Sequence, residues 1–502
     1  MAQFFKPKSG KAKSKQVSKF SLTIDKQDHH GKGISFSTSP ITIVDQAITG
    51  EQGDVIISKK SKKAQYGKWT SITKPSNYRI KPFCEFYGSC GGCNLQHVNA
   101  TNGLLFKFEA LNEYLLHNLK VEVLPWFAPI LSNIHYEQAH SKNDAVFSDL
   151  MNESINSASS HNSYTQTAYR RRVKLAIDAR NPNNLRIGFR QRNGANIVDI
   201  NVCSIVSDSI NEALLSVRNT LNASLAKQVG HIVLTEGATS TQIAFYLVRK
   251  PSQEILNLLL NCVKNHKQVC VIFLKSDLLG HSFINAKNEK VLDFQSQKKT
   301  NQVDAGSDNN VEINAIDLIQ IEDMQGKETA IKPHHFLQIN QHVNHQMLRR
   351  AKKWLDPNED DILYDFFCGA GNFSISMAQN VKEVFGYEGV SEMLSQARYN
   401  AVLQSVNNCD FKTLDLSETD LKSQITMLND SLVILDPSRE GAHQLSEVLL
   451  QKQCKKILYI SCNPNTFCRD ATHLQSKYKL TKIACLDMFP FTEHLELMAL
   501  FE

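Results

Sequence analysis

The chain has 502 residues, of which 42% are hydrophobic and 21% carry a charge. These proportions are ordinary for a globular protein and exclude a disordered or fibrous chain, and the length predicts about three domains. The net charge of +6 is modest, but it is unevenly distributed.

The basic residues are concentrated at the N-terminus. Six lysines precede Asp25, the first acidic residue: Lys6, Lys8, Lys11, Lys13, Lys15 and Lys19. Residues 1–17 are therefore predicted to form a flexible tail that contacts a polyanion, although a solvated tail without a partner explains the same charges.

No apolar run has the length of a signal peptide core or of a membrane span, so we expect a cytoplasmic protein that does not enter a membrane. In that reducing compartment, the 12 cysteines are expected to be thiols, metal ligands or nucleophiles instead of disulfides.

Residues 18–80 have the pattern of a small β-barrel. Short apolar runs at residues 20–24, 41–44 and 54–57 alternate with Gly and Asp turns. Basic and aromatic residues then follow closely: Lys59, Lys60, Lys62, Lys63, Tyr66, Lys68 and Trp69. On a barrel this mixture suits a nucleic-acid surface, because ammonium groups meet phosphates and rings stack on bases. A lysine-rich edge strand that prevents aggregation explains the lysines nearly as well.

Three cysteines form a compact motif at the start of the next region. Cys84, Cys90 and Cys93 have the spacing C-x5-C-x2-C with three glycines between them. Three thiolates on a tight loop can bind a metal centre, and the spacing alone fits zinc and iron–sulfur chemistry about equally.

The remainder of residues 81–330 mixes helix, strand and polar segments. An amphipathic helix is predicted over residues 101–120, and strand-like runs fill residues 172–293. Residues near 132–167 and 295–325 are polar, show little periodicity and are interpreted as insertions, the first of them mobile. Basic runs at residues 169–174 and 186–192 provide charge for RNA phosphates, or alternatively form a solvated strand face.

From residue 331 to the end, short apolar strands alternate with amphipathic helices, which is typical of an α/β domain with a mostly parallel sheet. Seven strands are predicted, at residues 362–366, 384–387, 409–414, 432–435, 457–460, 483–486 and 497–501.

A glycine-rich turn follows the first of these strands. The run from Asp365 to Asn372 reads DFFCGAGN, and Glu388 ends the next strand. Such a turn lets the backbone approach a ligand, and an acidic group at the second strand can accept hydrogen bonds from both ribose hydroxyls. The turn lacks the G-x-G-x-x-G spacing of dinucleotide binders and fits S-adenosylmethionine better, although a purely structural turn is also possible.

Candidate reactive groups follow other strands of the same sheet. Asp436 and Cys462 each come directly after, or one residue after, an apolar strand, and each stands close before a proline. A cysteine taken alone is more often a small buried apolar residue than a nucleophile. Glu496 interrupts an apolar stretch near the C-terminus and offers a carboxylate as a proton acceptor.

These motifs together resemble the RNA uracil-5 methyltransferase family, and the whole chain resembles its 23S ribosomal RNA branch. The matching words are FLQIN at 336–340, DFFCGAGN at 365–372, DP at 436–437, SCNP at 461–464, DMFP at 487–490 and HLE at 494–496. The resemblance implies a Rossmann-like class I methyltransferase domain at 331–502, a TRAM- or OB-like barrel at 18–80 and a central α+β iron–sulfur region at 81–330. It also implies 23S ribosomal RNA as the partner, and we expect a monomer.

The resemblance also implies roles for single residues. It makes Cys462 the nucleophile that adds to carbon 6 of uracil and Glu496 the base. It places S-adenosylmethionine beside Gln338, Phe367, Asn372, Glu388, Asp415 and Asp436, with Asp415 resting on little motif. It makes Cys84, Cys90, Cys93 and Cys203 the ligands of a [4Fe-4S] cluster.

Two other functions are consistent with part of the sequence. A transfer-RNA uracil-5 methyltransferase would share the same Cys and Glu, but that branch lacks the N-terminal barrel and the cysteine motif. A non-catalytic iron–sulfur RNA-binding protein would need a decayed site, against which the intact Cys462, Glu496 and glycine turn argue.

Overall fold

The computed structural model describes residues 19–138, 145–158, 167–181, 183–260, 262, 268–274, 277–285, 288–289, 319–322, 326–418 and 420–502. The predicted basic tail and most of the predicted insertion at 295–325 lie outside the described residues. Among those that are described, no helix combines the length and the apolar sequence needed to cross a bilayer.

The N-terminal region forms a six-stranded sheet, as its alternating pattern predicts. The strands are β1 (Lys19–Thr23), β2 (Lys26–Gln27), β3 (Gly33–Ser35), β4 (Ile41–Asp45), β5 (Gln52–Lys60) and β6 (Ala64–Lys74). Their order in the sheet is β1-β5-β6-β4-β3-β2. A Cβ atom at Gly67 would lie 2.3 Å from Val55 Cγ1, so glycine is required where β5 and β6 approach closely.

This sheet has a small core of its own, built from Leu22, Ile24, Val44, Ala47 and Val55. Trp69 packs against that core and is half-buried, and its role in stacking on bases stays a prediction. Tyr66 is 36% exposed, and Lys59 Nζ lies 5.8 Å from its ring centre.

Two helices lead into the central region. Helix α1 (Ala100–Leu119) matches the predicted amphipathic helix; it begins at the cap Asn99 and ends at Lys120, whose backbone is left-handed. Helix α2 (Ala145–Ala158) falls inside the predicted insertion near 132–167, where the sequence shows little periodicity, and the mobility of that segment stays a prediction. Phe147 of α2 is buried and stacks on Phe108 of α1.

The central region is built on an eight-stranded sheet with three further helices. The elements are β7 (Arg172–Asp178), β8 (Arg186–Arg190), β9 (Ile197–Asp199), α3 (Asp208–Thr220), α4 (Ala223–Ala226), β10 (Val229–Glu236), β11 (Thr241–Leu247), α5 (Gln253–Leu260), β12 (Gln268–Leu274), β13 (Asp277–Asn285) and β14 (Asn288–Glu289). The strand order is β14-β13-β12-β11-β10-β7-β8-β9.

Two arginines of the basic run at 169–174 contact the backbone of a distant part of the chain; Arg171 is buried and Arg172 is half-buried. Arg171 Nε donates to the carbonyl of Gln338 at 3.0 Å, and Arg172 donates to the carbonyls of Lys332 and His335. Burial lowers the pKa of Arg171 to about 9 and that of Arg172 to about 10. These guanidinium groups therefore hold the backbone of the C-terminal region, and the role of the run in binding RNA phosphates stays a prediction.

A two-stranded ribbon and the C-terminal α/β unit complete the chain. The ribbon is β15 (Ile319–Glu322) and β16 (Glu328–Ile331). The unit contains α6 (Gln341–Leu355), β17 (Ile362–Phe366), α7 (Asn372–Met377), β18 (Glu383–Glu388), α8 (Ser391–Leu403), β19 (Cys409–Thr413), α9 (Leu421–Gln424), β20 (Ser431–Leu435), α10 (His443–Leu450), β21 (Cys454–Ser461), α11 (Pro464–Leu474), β22 (Leu480–Leu486) and β23 (Glu496–Phe501).

The seven strands of this unit have the order β19-β18-β17-β20-β21-β23-β22. All neighbours up to β21 are parallel, and β23 runs antiparallel to both β21 and β22. Both faces of the sheet are buried, as two successive residues of β17 show. Leu363 belongs to the core cluster with α6 to α8 on one face, and Tyr364 belongs to the core cluster with α10 and α11 on the other. The predicted mostly parallel α/β sheet is therefore confirmed, and its carboxyl edge collects the loops that follow β17, β18, β20 and β21.

Candidate active site

A cavity of about 1040 Å³ lies at the carboxyl edge of the C-terminal sheet. It is lined by all the predicted catalytic and cofactor residues except Asp415: Gln338, Phe367, Asn372, Glu388, Asp436, Cys462 and Glu496. Asp415 does not line it; the side chain is exposed, and its Oδ1 accepts hydrogen bonds from Ser417 N at 3.0 Å and Ser417 Oγ at 2.6 Å.

The glycine turn is held by a buried carboxylate. Asp365 Oδ2 accepts hydrogen bonds from Ser374 N at 2.9 Å and Ser374 Oγ at 2.5 Å, which ties the end of β17 to helix α7. Gly371 has a φ of +91°, and a Cβ atom there would lie 2.7 Å from Ile375 Cδ1. The positive φ therefore favours glycine here, and the absence of a side chain leaves the backbone open to the cavity.

Phe367 has a φ of 67°, in the left-handed region that bulky residues rarely adopt. This conformation starts the turn and puts the residue on the cavity wall. Asn372 opens α7, and its amide exchanges two hydrogen bonds with the amide of Asn344, at 3.0 and 3.1 Å.

Glu388 joins the glycine turn to the loop after β18. One carboxylate oxygen accepts from Gly369 N at 3.2 Å, and the other accepts from Val390 N at 3.1 Å. Each oxygen of a carboxylate can accept more than one hydrogen bond. The group therefore keeps capacity for two hydroxyl donors from the cavity that it lines.

Cys462 and Glu496 come from neighbouring antiparallel strands. Cys462 is half-buried and directly follows β21; the next residue, Asn463, caps helix α11 by accepting from Asn465 N at 3.1 Å. Glu496 is 7% exposed and begins β23, whose Leu497 pairs with Ser461. This pairing fixes the thiol and the carboxylate side by side on the cavity wall.

Burial and mutual repulsion shift the titration of these groups. Burial, and then the charge of Asp436, raise the pKa of Glu496 to about 8. Burial raises the pKa of Asp436 to about 7. The pKa of the Cys462 thiol is raised by burial and by the carboxylates of Glu496 and Asp436, while Arg439 opposes the rise. Glu496 Oε2 has no hydrogen-bond partner among the described residues, so an acceptor atom is available in the cavity.

The four predicted metal ligands converge. All of them are free thiols, and Cys203 raises the pKa of Cys93 electrostatically, as Cys84 raises that of Cys90, each after the larger effect of burial. The pKa of Cys93 is raised to about 12 and that of Cys203 to about 11. Gly92 N donates to Cys90 Sγ at 3.4 Å.

The cysteine loop also reaches the cavity, which sequence reasoning missed. Gly91 and Gly92 contribute to the cavity wall. Asn94 N and Leu95 N both donate to the carbonyl of Phe491, and Asn94 Nδ2 donates to Glu493 at 2.8 Å. The loop that bears the thiols is therefore fastened to the segment that leads to Glu496.

Arg439 is a second residue that sequence reasoning missed. It lines the cavity, and its carbonyl accepts from Asn463 Nδ2 at 2.8 Å. Arg439 could have been predicted as a cavity residue, because it lies three residues after Asp436 in the same loop at the carboxyl edge of the sheet.

Comparison with known proteins agrees with this architecture. The family described as tRNA (Uracil-5-)-methyltransferase matches residues 317–502. The chain is 30% identical to the 23S rRNA (uracil(1939)-C(5))-methyltransferase RlmD of Alteromonas naphthalenivorans, over 96% of this chain and 88% of the relative. It is also 30% identical to RlmD of Vibrio campbellii over the full length of both.

Among solved structures, the Pyrococcus abyssi tRNA (uracil-54, C5)-methyltransferase in complex with S-adenosyl-L-homocysteine has a TM-score of 0.65. It is 20% identical and the match covers 96% of this chain and 99% of that one, which shows a shared fold. The identity to full-length relatives shows more: this chain belongs to the RlmD family of uracil-C5 RNA methyltransferases.

Proposed function

We propose that this protein transfers a methyl group from S-adenosylmethionine to carbon 5 of a uridine in 23S ribosomal RNA, through a temporary bond between Cys462 and carbon 6 of the base. The observation that carries the proposal is the placement of one thiol and one unpartnered carboxylate oxygen, Glu496 Oε2, on the wall of a cavity that also contains the glycine turn. The named activity of the full-length relatives supplies the substrate class.

The residues around the glycine turn fit the methyl donor. Glu388 has remaining acceptor capacity for the two ribose hydroxyls, and the turn at Gly369 and Gly371 allows close approach of a ligand to the backbone. Gln338, Phe367, Asn372 and Asp436 would complete the site. When bound, S-adenosylmethionine supplies a methyl group that is activated by a sulfonium sulfur. Asp415, which is exposed outside the cavity, would contribute only after a rearrangement of its loop.

Carbon 5 of uracil is a weak nucleophile, so the ring must first be activated. The thiolate of Cys462 adds to carbon 6, and the displaced electron pair moves through carbon 5 to the oxygen on carbon 4 as an enolate. Carbon 5 then forms its bond to the methyl group as the bond between that methyl group and the donor sulfonium breaks, and the electron pair of the broken bond remains on the sulfur, which leaves as a neutral thioether. Glu496 removes the proton that remains on carbon 5, the double bond re-forms, and the electron pair of the sulfur–carbon bond returns to Cys462 as thiolate.

A base within a helix cannot reach such a cavity, so the target uridine must be unpaired or flipped out. The neutral, protonated form of Asp436 at pH values below about 7 allows it to donate a hydrogen bond to a uracil oxygen on which charge develops. Gln338, 8% exposed on the cavity wall, provides an amide as a second polar group for the base edge.

We also propose that Cys84, Cys90, Cys93 and Cys203 hold a [4Fe-4S] cluster. Four convergent free thiols and a backbone N–H directed at Cys90 are the donor set and the hydrogen bonding that such clusters use. A closed set of four ligands suits a structural cluster, which would bind the loop at 84–93 to Cys203. Through Asn94 and Phe491 that loop would also position the segment before Glu496.

A trapping experiment tests the proposed function. Ribosomal RNA that carries 5-fluorouridine should become covalently attached to Cys462, since fluorine on carbon 5 cannot be removed as a proton. Cys462→Ala should give neither attachment nor methylation, while Cys454→Ala, which changes a buried thiol at the opposite end of β21, should retain both. Methylation of RNA by Cys462→Ala would overturn the proposal.

A second experiment tests whether the substrate is ribosomal RNA or transfer RNA. Ribosomal and transfer RNA from cells that lack the gene should be offered separately with labelled S-adenosylmethionine. We expect methyl incorporation into 23S RNA, and equal or greater incorporation into transfer RNA would contradict that assignment.

A further inference from the structure

Two adjacent histidines meet a glutamate at the wall of the cavity. His334 and His335 follow the ribbon strand β16, and Glu392 lies in the first turn of α8. His334 Nε2 lies 3.0 Å from Glu392 Oε2, and His335 Nε2 lies 3.6 Å from Glu392 Oε1. Among the described residues this is the one group of three side chains with ligand atoms close enough to share a single metal ion.

The buried ring of His335 provides separate evidence for a ligand at this group. Its side chain is 4% exposed, yet neither ring nitrogen has a hydrogen-bond partner among the described residues. The 3.6 Å separation of Nε2 from Glu392 Oε1 is longer than a hydrogen bond, so this buried nitrogen lacks one, at a cost in free energy that a ligand at Nε2 would recover.

The backbone beneath the histidines is fixed before any ion binds. The half-buried guanidinium of Arg172 donates to the carbonyls of both Lys332 and His335, and His335 N donates to the carbonyl of Lys332 at 3.2 Å. Glu392 is placed by the helix that begins at Ser391. Donor atoms on two rigid supports lose little freedom on binding, which favours affinity.

A lysine already balances the charge of this carboxylate. Lys332 Nζ lies 3.1 Å from Glu392 Oε1, the same oxygen that faces His335. An ammonium group and a metal ion would therefore compete for one oxygen. The side chain of Lys332 is 21% exposed on a flexible stem, so it can turn towards solvent when an ion binds.

We propose that His334, His335 and Glu392 form a site for a divalent transition-metal ion, with zinc as the ion that best suits the donors. Two imidazole nitrogens and one carboxylate oxygen are a known zinc ligand set, and they leave a fourth position for water from the cavity. The ion would join the segment after β16 to the start of α8, and so fix the backbone that leads to Gln338. This site is separate from the cysteine ligands and does not depend on the proposed reaction.

Zinc binding to the anaerobically purified, iron-containing protein tests the site. Competition with a chromophoric chelator should show one zinc equivalent that is lost in His335→Ala and in Glu392→Gln, with unchanged iron content. Since loss of an outer hydrogen-bond partner already costs about 10–100-fold in metal affinity, loss of a ligand should weaken binding by more than about 100-fold. His443→Ala is the matched control, because His443 faces Glu447 at 3.7 Å on the surface of α10.

Two further results separate this site from alternatives. Lys332→Met should bind zinc more tightly than the unchanged protein, because the competing ammonium is gone. Cobalt(II) at the site should show visible d–d absorption without the near-ultraviolet charge transfer of a thiolate ligand. Equal zinc binding by His335→Ala and the unchanged protein, weaker binding by Lys332→Met, or a thiolate band for the bound cobalt would each overturn the proposal.

Discussion

The ammonium group of Lys107 lies 3.0 Å from a carboxylate oxygen of Asp487, and both side chains are only 2% exposed. The other oxygen of Asp487 accepts from the hydroxyl of Tyr136 at 2.6 Å, and Lys107 also donates to the carbonyl of His494 at 3.1 Å. Helix α1 of the central region therefore holds both ends of the loop that precedes Glu496. The pair joins two regions of the chain at the place where the proposed base is positioned.

The first prediction concerns this pair. Lys107→Met should lower the free energy of unfolding by about 3–5 kcal/mol, because it leaves the Asp487 carboxylate buried without its counter-ion. Lys107→Met with Asp487→Asn should recover a large part of that loss, since no buried charge remains. Urea denaturation measures both.

An exposed ion pair provides the control for the first prediction. Lys412 and Asp410 lie 2.8 Å apart with half-exposed side chains, so Lys412→Met should cost less than about 1 kcal/mol. Equal losses in the two lysine variants would contradict the assignment of Lys107 to a buried structural role.

Local pattern was sufficient for the C-terminal sheet. Its strands are short buried apolar runs bounded by turns, so all seven were predicted within a few residues, and parallel order then brought Asp436 and Cys462 to one edge. Glu388 was predicted because it ends a strand, whereas the role of the Asp365 carboxylate, which lies within β17, was not predicted. Cys462 and Glu496 were taken from a family resemblance and from their position, and the cavity brings them together.

The contacts of charged side chains were the part of the fold that the sequence predicted least well. The partners of Arg171 and Arg172 lie 167 and 163 residues later in the chain, and the partner of Lys107 lies 380 residues later, so nothing nearby in the sequence indicates these contacts. Helix α2 was missed since its sequence is rich in Ser and Asn, and it is held by Phe147 and Met151 against other elements. Tertiary contacts of this kind leave no local periodicity to detect.

The second prediction concerns the cysteine loop. Cys90→Ser should remove the brown colour and most of the iron from anaerobically purified protein, because an alcohol is a poor ligand for an iron–sulfur cluster. Cys454→Ser, at a buried thiol of β21, should keep both. Iron analysis and visible absorption measure the difference. Colourless unchanged protein with stoichiometric zinc in the loop would refute the cluster.

The third prediction concerns the reactivity of Cys462. The carboxylate of Glu496 raises the pKa of this thiol, and Arg439 opposes that rise. Removal of the two charges, one at a time, should therefore shift the pKa of the thiol in opposite directions. The alkylation rate of Cys462 by iodoacetamide, followed by mass spectrometry across pH, should move to lower pH in Glu496→Gln. It should move to higher pH in Arg439→Gln. Shifts of the same sign would show that the two charges do not act on the sulfur.

The fourth prediction concerns the proton that leaves carbon 5. Glu496 has a pKa of about 8, against an ordinary value of 4.5, so at neutral pH it is largely protonated and cannot accept a proton. Decay of the covalent RNA adduct in a single turnover should therefore speed up as pH rises through about 8. Between pH 4.5 and 8 only the folded state keeps this proton bound. As the pH rises through that interval, Glu496 should therefore lower the free energy of unfolding.

Removal of one neighbouring charge tests the cause of that titration. The carboxylate of Asp436 contributes to the raised pKa of Glu496, so Asp436→Asn should move the midpoint of adduct decay to lower pH, whatever it does to the maximal rate. Asp410→Asn, at an exposed carboxylate on β19, should leave the midpoint in place. Glu496→Gln should accumulate adduct at every pH, because an amide cannot take the proton at any pH in the range. Normal adduct decay in Glu496→Gln would assign the proton to another group.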